Sequence, residues 1–307
     1  MATEYHQPIE KLSTMRSYVT EVEKKTVTVF GLGTMGAAMA VNLASAGYTT
    51  RGWNRSSDRP GVRAASAAGV VVVESPTEAV AGSNIVLSCV TDIDALNQIF
   101  TNELLDSLEP GTIVVDTSTI GPSNAVAFGQ RLVDAGVGFV DAPVTGGDVG
   151  ARDATLSIMA GGETDHIHRV GAIFDVIGGS SRHCGPIGSG QSLKMVNQVL
   201  CAVSTTAVAE ALALAEAQGL DPALVTEVCG PGAGGSWSLT ALGPRVIAGN
   251  FEPGFRTQDL DKDLRLALGR ASDLGLDLPV ADAAHDQFKA SLAEHPEAGT
   301  QAVYLQY

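Results

Sequence analysis

Residues 27–36 read Val27-Thr28-Val29-Phe30-Gly31-Leu32-Gly33-Thr34-Met35-Gly36. Val27–Phe30 has the character of a short buried strand. Gly31, Gly33 and Gly36 then stand at G-x-G-x-x-G spacing, and an Ala-rich apolar stretch from Met35 to Ala46 follows as a helix. Each glycine has a separate task in such a strand–turn–helix. The first permits the tight turn, the second lets backbone approach a pyrophosphate, and the third lets helix and strand pack closely. Free N–H groups at the helix start, with the positive end of its dipole, attract the anion.

The next strand, Thr49–Trp53, ends at Asn54-Arg55-Ser56-Ser57. This is roughly 20 residues beyond the turn, where an Asp or Glu would bond the ribose 2′-hydroxyl of NAD. Here stand a neutral Asn and a cationic Arg55. A carboxylate would repel a 2′-phosphate, whereas a guanidinium can bond it twice. The chain therefore leans to NADP(H), with NAD still admissible.

Strand-like runs at 70–73, 84–90, 112–116, 137–141, 155–160 and near 182–183 alternate with helical stretches at 60–68, 77–81, 91–107, 122–135 and 163–174. The alternation predicts an α/β fold: a Rossmann-like doubly wound sheet over residues 25–188. Ligands bind along the C-terminal edge of such strands, where Thr117-Ser118-Thr119 falls. Asp141-Ala142-Pro143-Val144-Thr145-Gly146-Gly147 offers a hydroxyl and two glycine N–H groups that can close on a carboxylate. By spacing alone it is equally a plain polar loop.

The texture changes from Gly185 to Asn197. A helix of about 28 residues, some 40 Å long, follows. It is apolar nearly all round, so it is expected to be the buried axis of an all-α second domain, residues 189–307. A loose loop at Pro231–Gly235 and helices at 236–242, 258–274 and 279–293 complete it. Val280, Ala284, Phe288 and Leu292 mark the packing face of the last.

Lys194 and Asn197 lie three apart on one helical face, at the domain junction. Burial and a positive helix end lower a lysine pKa from about 10.4. A lysine so placed can protonate a carbonyl oxygen receiving hydride, and can stabilise the developing alkoxide. A solvated lysine fits the spacing as well. Lys262 and Asp263 read, on composition, as an exposed charge run.

The formal net charge of −15 over 307 residues disfavours nucleic acid and anionic membranes as partners. Cys89, Cys184, Cys201 and Cys229 form no C-x-x-C pair, which favours a reducing compartment, the cytoplasm. His166 and His168 fall on different faces of their helix, so no metal site is expected. Residues 1–24 carry mixed charge without the apolar run of a signal peptide and read as a loosely attached extension.

Four segments stand in one order: the Gly31–Gly36 turn, Asp141–Gly147, Gly185–Asn197 with Lys194, and Lys262-Asp263-Leu264. Over residues 26 to about 303 the chain resembles the β-hydroxyacid dehydrogenase family. The resemblance implies that Gly31, Leu32, Gly33, Thr34, Met35 and Gly36 hold the pyrophosphate, and that Asn54, Arg55 and Ser56 take the 2′-phosphate. Val90, Thr91 and Thr119 would line the cofactor, with Lys262 over it. Ser118, Thr145, Gly146 and Gly147 would hold a small carboxylate-bearing substrate, and Trp237 would complete the pocket. Lys194 would be the general acid/base and Asn197 would orient it. The family often has Ser where Thr145 stands; a hydroxyl donor remains. The implied activity interconverts a small 2- or 3-hydroxy acid and its semialdehyde or keto acid, in a homodimer or homotetramer. An imine reductase and a non-catalytic cofactor-binding scaffold are the alternatives. Such relatives usually lack the lysine.

Overall fold

The computed structural model describes residues 26–307; the expected 1–24 extension lies outside the described residues. Among the described residues nine strands form one sheet: β1 (Thr26–Phe30), β2 (Thr49–Trp53), β3 (Val71–Val72), β4 (Ile85–Ser88), β5 (Ile113–Asp116), β6 (Gly138–Asp141), β7 (Val144–Thr145), β8 (Leu156–Gly162) and β9 (Gly178–Gly185). The first six run parallel in the order β3-β2-β1-β4-β5-β6. This is the 3-2-1-4-5-6 order of dinucleotide-binding sheets, with its reversal between β1 and β4. β8 pairs antiparallel with β6 and β7, and β9 runs parallel to β8.

A parallel sheet is covered on both faces, so its central strands need no polar alternation. Ile85-Val86-Leu87 and Ile113-Val114-Val115 are accordingly buried throughout. Phe30, Phe100, Phe128 and Phe139 line one face in edge-on contact, with ring centroids 5.6, 5.3 and 5.4 Å apart. The single helix expected over 91–107 is two, Ile93–Ile99 and Asn102–Ser107. Thr101 breaks it: its hydroxyl accepts from Leu104 N at 3.3 Å and caps a fresh start.

The junction helix runs Ser189–Ala217. Its Ala202 and Ala209 pack with Leu260 and Leu264 of helix Thr257–Asp273 and with Ala284 and Phe288 of helix Pro279–Glu294. Those helices cover one flank only. Leu193, Val196, Leu200 and Leu214 stay exposed on the other, so the expectation of an axis buried all round is corrected. The packing face of Pro279–Glu294 is Ala281, Ala284, His285, Phe288 and Ser291, and Val280 is 62% exposed. A strict four-residue spacing overshoots each turn by about 40°, which carries Val280 off the face.

Candidate active site

The glycine turn sits where the strand order reverses. Gly31 has φ +88°, and a Cβ there would lie 2.2 Å from Cys89 O. A Cβ on Gly36 would lie 1.9 Å from Gly31 O. Both positions therefore exclude any side chain. Gly33 differs: its Cβ would meet nothing within 4 Å. It caps helix Thr34–Ser45 with no side-chain hydrogen bond, so the helix start has no side-chain acceptor from its cap. An anionic pyrophosphate fits that cradle. Thr34 is exposed beside it and Met35 half-buried. The Leu32 side chain is fully buried, so only its backbone belongs to the turn.

Asn54 has a local task at the turn. Its Oδ1 accepts from Leu32 N at 2.9 Å and its Nδ2 donates to Ser56 O at 2.8 Å, so it braces the glycine turn against the following loop. Arg55 is exposed and Ser56 half-buried on that loop. The next helix, Pro60–Ala67, leans on the turn: a Cβ on Gly61 would lie 2.3 Å from Leu32 O. A glycine just after a proline at a helix start was the only sequence signal for Gly61.

At the ends of β4 and β5, Val90 flanks Gly31. Thr91 is exposed, with its hydroxyl on Asp92 at 3.0 Å. The Ser118 hydroxyl already has two partners in the sheet. Its Oγ donates to Asp116 Oδ1 at 2.7 Å and accepts from Val90 N at 2.9 Å, which ties the two strand ends together. Asp116 is fully buried, and burial pushes its carboxyl up to about 6 against the hydrogen bonds from Ser118 and Ser88. Lys262 Nζ donates to Thr119 O at 2.5 Å and pairs with Asp263 Oδ1 at 3.0 Å. Lys262 and Asp263 are thus no exposed charge run: Asp263 is 2% exposed and accepts from Gln198 Nε2 at 2.6 Å. Burial raises its carboxyl, while Lys262 and Lys194 oppose the rise.

Lys194 is 7% exposed, and its Nζ donates to Val144 O at 2.8 Å. Burial lowers its pKa; Asp263 acts the other way. Asn197 donates to Gln198 Oε1 at 2.8 Å and Cys201 Sγ at 3.3 Å. Val144 leads straight into Thr145, Gly146 (φ +132°) and Gly147 (φ +66°), a backbone that favours glycine. A buried lysine and a row of potential carboxylate donors therefore lie side by side. Trp237 does not join them. It is 64% exposed, and its neighbour Ser238 bonds Thr205 at 3.1 Å, about 16 Å further along the junction helix than Lys194. The tryptophan follows a glycine-rich loop, so its place could not be read from spacing.

Asp141 and Gln191 lock the junction, and neither had a role from sequence. Asp141 Oδ1 accepts from Gly188 N at 2.7 Å and Oδ2 from Gln191 N at 2.8 Å. Burial pushes this carboxyl up to about 7, against those two N–H donors. Gln191 Oε1 accepts from Ile120 N and Gly121 N, each at 3.0 Å, and its Nε2 donates to Ser118 O at 2.7 Å.

A 3-2-1-4-5-6 sheet with a glycine turn at its reversal, followed by a long helix that carries a buried lysine, is the arrangement of a nicotinamide-dinucleotide oxidoreductase. Residues 26–188 match the family model for the NAD binding domain of 6-phosphogluconate dehydrogenase. Residues 188–306 match that for the NAD-binding region of NADP-dependent 3-hydroxyisobutyrate dehydrogenase. An uncharacterised oxidoreductase of Synechocystis sp. is 42% identical over 284 residues, 92% of this chain and 97% of that one. The 2-hydroxy-3-oxopropionate reductase of Escherichia coli is 35% identical over 86% of this chain and 90% of its own. The solved structure of Mycobacterium tuberculosis 3-hydroxyisobutyrate dehydrogenase with L-serine is 31% identical, with a TM-score of 0.83, and the match covers 92% of this chain and 98% of that one. The chain belongs to the β-hydroxyacid dehydrogenase family.

Proposed function

We propose that the protein is an NADP(H)-dependent reductase of a small semialdehyde or keto acid, running reversibly to the 2- or 3-hydroxy acid. The observation that carries this is Lys194, a buried amine held 2.8 Å from the carbonyl that opens the Thr145-Gly146-Gly147 segment. A bound nicotinamide supplies or accepts the hydride. Thr145 Oγ1 and the glycine N–H groups bind the substrate carboxylate, which sets the carbonyl toward Lys194. The ammonium gives its proton to the carbonyl oxygen as that oxygen gains charge, and the neutral amine takes it back in oxidation. Asn197 steadies the group at its side. Lys262 fastens helix Thr257–Asp273 to the Thr119 carbonyl and closes the cofactor's edge of the cleft. A lysine at this place favours a carbonyl over an imine substrate.

The deciding experiment is NADPH oxidation with glyoxylate, succinic semialdehyde, tartronate semialdehyde and methylmalonate semialdehyde. A cyclic imine serves as the contrasting arm, and L-serine and 3-hydroxyisobutyrate are tested for oxidation. Turnover of at least one carbonyl and none of the imine is expected. Turnover of the imine alone overturns the reading, and binding of NADPH without turnover of any substrate returns the scaffold alternative.

Arg55 is exposed on the loop that follows β2 and bonds no other side chain among the described residues. An Arg55→Asp variant places a carboxylate where a 2′-phosphate would sit. Its NADP/NAD preference, measured as a ratio of kcat/KM, is expected to fall by about tenfold or more, some 1.4 kcal/mol. An unchanged ratio removes Arg55 from the cofactor site.

Leu193, Val196, Leu200 and Leu214 form an exposed apolar stripe along the junction helix, and such patches mark interfaces. We assign its cover to a second copy of this chain, in a homodimer or homotetramer. Light scattering on the Leu200→Glu variant is expected to show a smaller particle than the wild type. An equal mass would place the interface elsewhere. The half-buried free thiols Cys89 and Cys201 fit a cytoplasmic setting.

A further inference from the structure

We propose that Asp141 is the positioning residue that sets Lys194 against the Thr145-Gly146-Gly147 cradle. This rests on the reading of Lys194 as the proton donor. Asp141 ends β6 and is fully buried. Helix Ser189–Ala217 starts at Gly188, in a left-handed conformation (φ +90°) and with no side-chain cap of its own. The cap comes from the sheet instead. The two oxygens of Asp141 take Gly188 N and Gln191 N at 2.7 and 2.8 Å, and so satisfy two groups that a helix start leaves unpaired.

The approach leaves no slack. A Cβ on Gly190 would lie 2.2 Å from Met159 O, and one on Gly161 would lie 2.5 Å from Asp141 Oδ1. Gln191 adds its three bonds to the loop after β5. Gln191, Lys194 and Gln198 follow at three- and four-residue steps and share the buried face. Lys194 then returns to the sheet, with Nζ on Val144 O, shortly past Asp141 in sequence. Sheet, cap, helix, lysine and sheet make one closed circuit. The cradle hangs from the same stretch of chain as the cap. Donor and cradle hold a fixed separation only while the cap is made. Asp141 itself touches neither substrate nor cofactor; it acts through Lys194.

The test is the Asp141→Asn variant, which keeps the shape but turns one acceptor oxygen into an NH₂ facing an N–H. Expected is a fall in kcat of about tenfold or more, within the general acid–base range, with the semialdehyde KM and NADPH affinity nearly unchanged. The lysine-dependent limb of the kcat–pH profile should also move up, toward the ordinary lysine range, as Nζ leaves its buried position. Competitive acetylation of Lys194 in the apoprotein, followed by mass spectrometry, should report the same upward move without any turnover. A kcat near wild type with only a lowered Tm, or an unmoved limb, overturns the proposal. If D141N does not fold, Asp141→Ser, which leaves a single acceptor oxygen for the two N–H groups, carries the test, and an unmoved Lys194 limb there is again fatal. Lys194→Ala separates the two claims. If it retains turnover, the proton-donor reading fails; if it is inactive while D141N is unaffected, only the positioning role fails.

Discussion

Lys194→Ala is expected to lower turnover by roughly 10²–10⁴, the range of general acid–base catalysis, and to leave NADPH affinity nearly unchanged. Lys262, Asp263 and Asn197 beside it are poor replacements for the lost proton. Lys262 Nζ is committed to Thr119 O and Asp263. Asp263 has its carboxylate on Gln198 and Lys262, and Asn197 has no proton to give at neutral pH. The sign of the pH dependence follows from burial. Burial disfavours the ammonium, so Lys194 titrates below the ordinary lysine range. Reduction needs the protonated form, and its kcat falls as pH rises through that lowered value. Oxidation needs the neutral amine, and its kcat rises over the same interval. The alanine variant should lose both limbs together. A fall of less than tenfold, or limbs that survive, would place the proton source elsewhere.

What could be read in advance was local in sequence. The β1 turn, the alternation of strands and helices, and the paired Lys194 and Asn197 all depend on residues a few positions apart. The doubly wound class followed because parallel strands joined by helices admit few arrangements. What escaped notice pairs distant positions. Asp141 finds its partners at Gly188 and Gln191, and Asp263 finds one at Gln198. A buried carboxylate and a solvated one have the same letter, and only the partner tells them apart. Ser118 shows the converse. Its place on the strand edge was legible, but not that Asp116 and Val90 N would occupy its hydroxyl. Asn54 sits where a cofactor ligand belongs, but its bond to Leu32 N was not legible. The junction helix misled through composition, since apolarity all round cannot say which flank its own chain covers.

The two glycine variants Gly36→Ala and Gly33→Ala should separate folding from cofactor binding. At Gly36 the new methyl would sit 1.9 Å from the Gly31 carbonyl oxygen and 3.2 Å from Cys89 Cβ. A backbone oxygen at the end of a paired strand cannot swing aside as a side chain does. Helix Thr34–Ser45 must lift off β1, and overpacking of this kind costs about 1–3 kcal/mol or more. For a chain of this size that is a Tm lower by about 2–6 °C. The same lift removes the helix's N–H groups from their anion position, so NADPH affinity should fall by about a hundredfold, near 2.7 kcal/mol. Gly33 has an ordinary φ of −74° and open space beyond it. Alanine there strains nothing, and the Tm of the apoprotein should stay close to wild type. The methyl instead occupies the ground where a pyrophosphate must approach the backbone, and NADPH should bind about tenfold or more weakly, some 1.4 kcal/mol. Thermal melts with and without NADPH read both quantities. If Gly33→Ala binds as tightly as wild type, the anion is held elsewhere on this edge; if Gly36→Ala melts like wild type, the close packing of helix on strand is not what makes the turn.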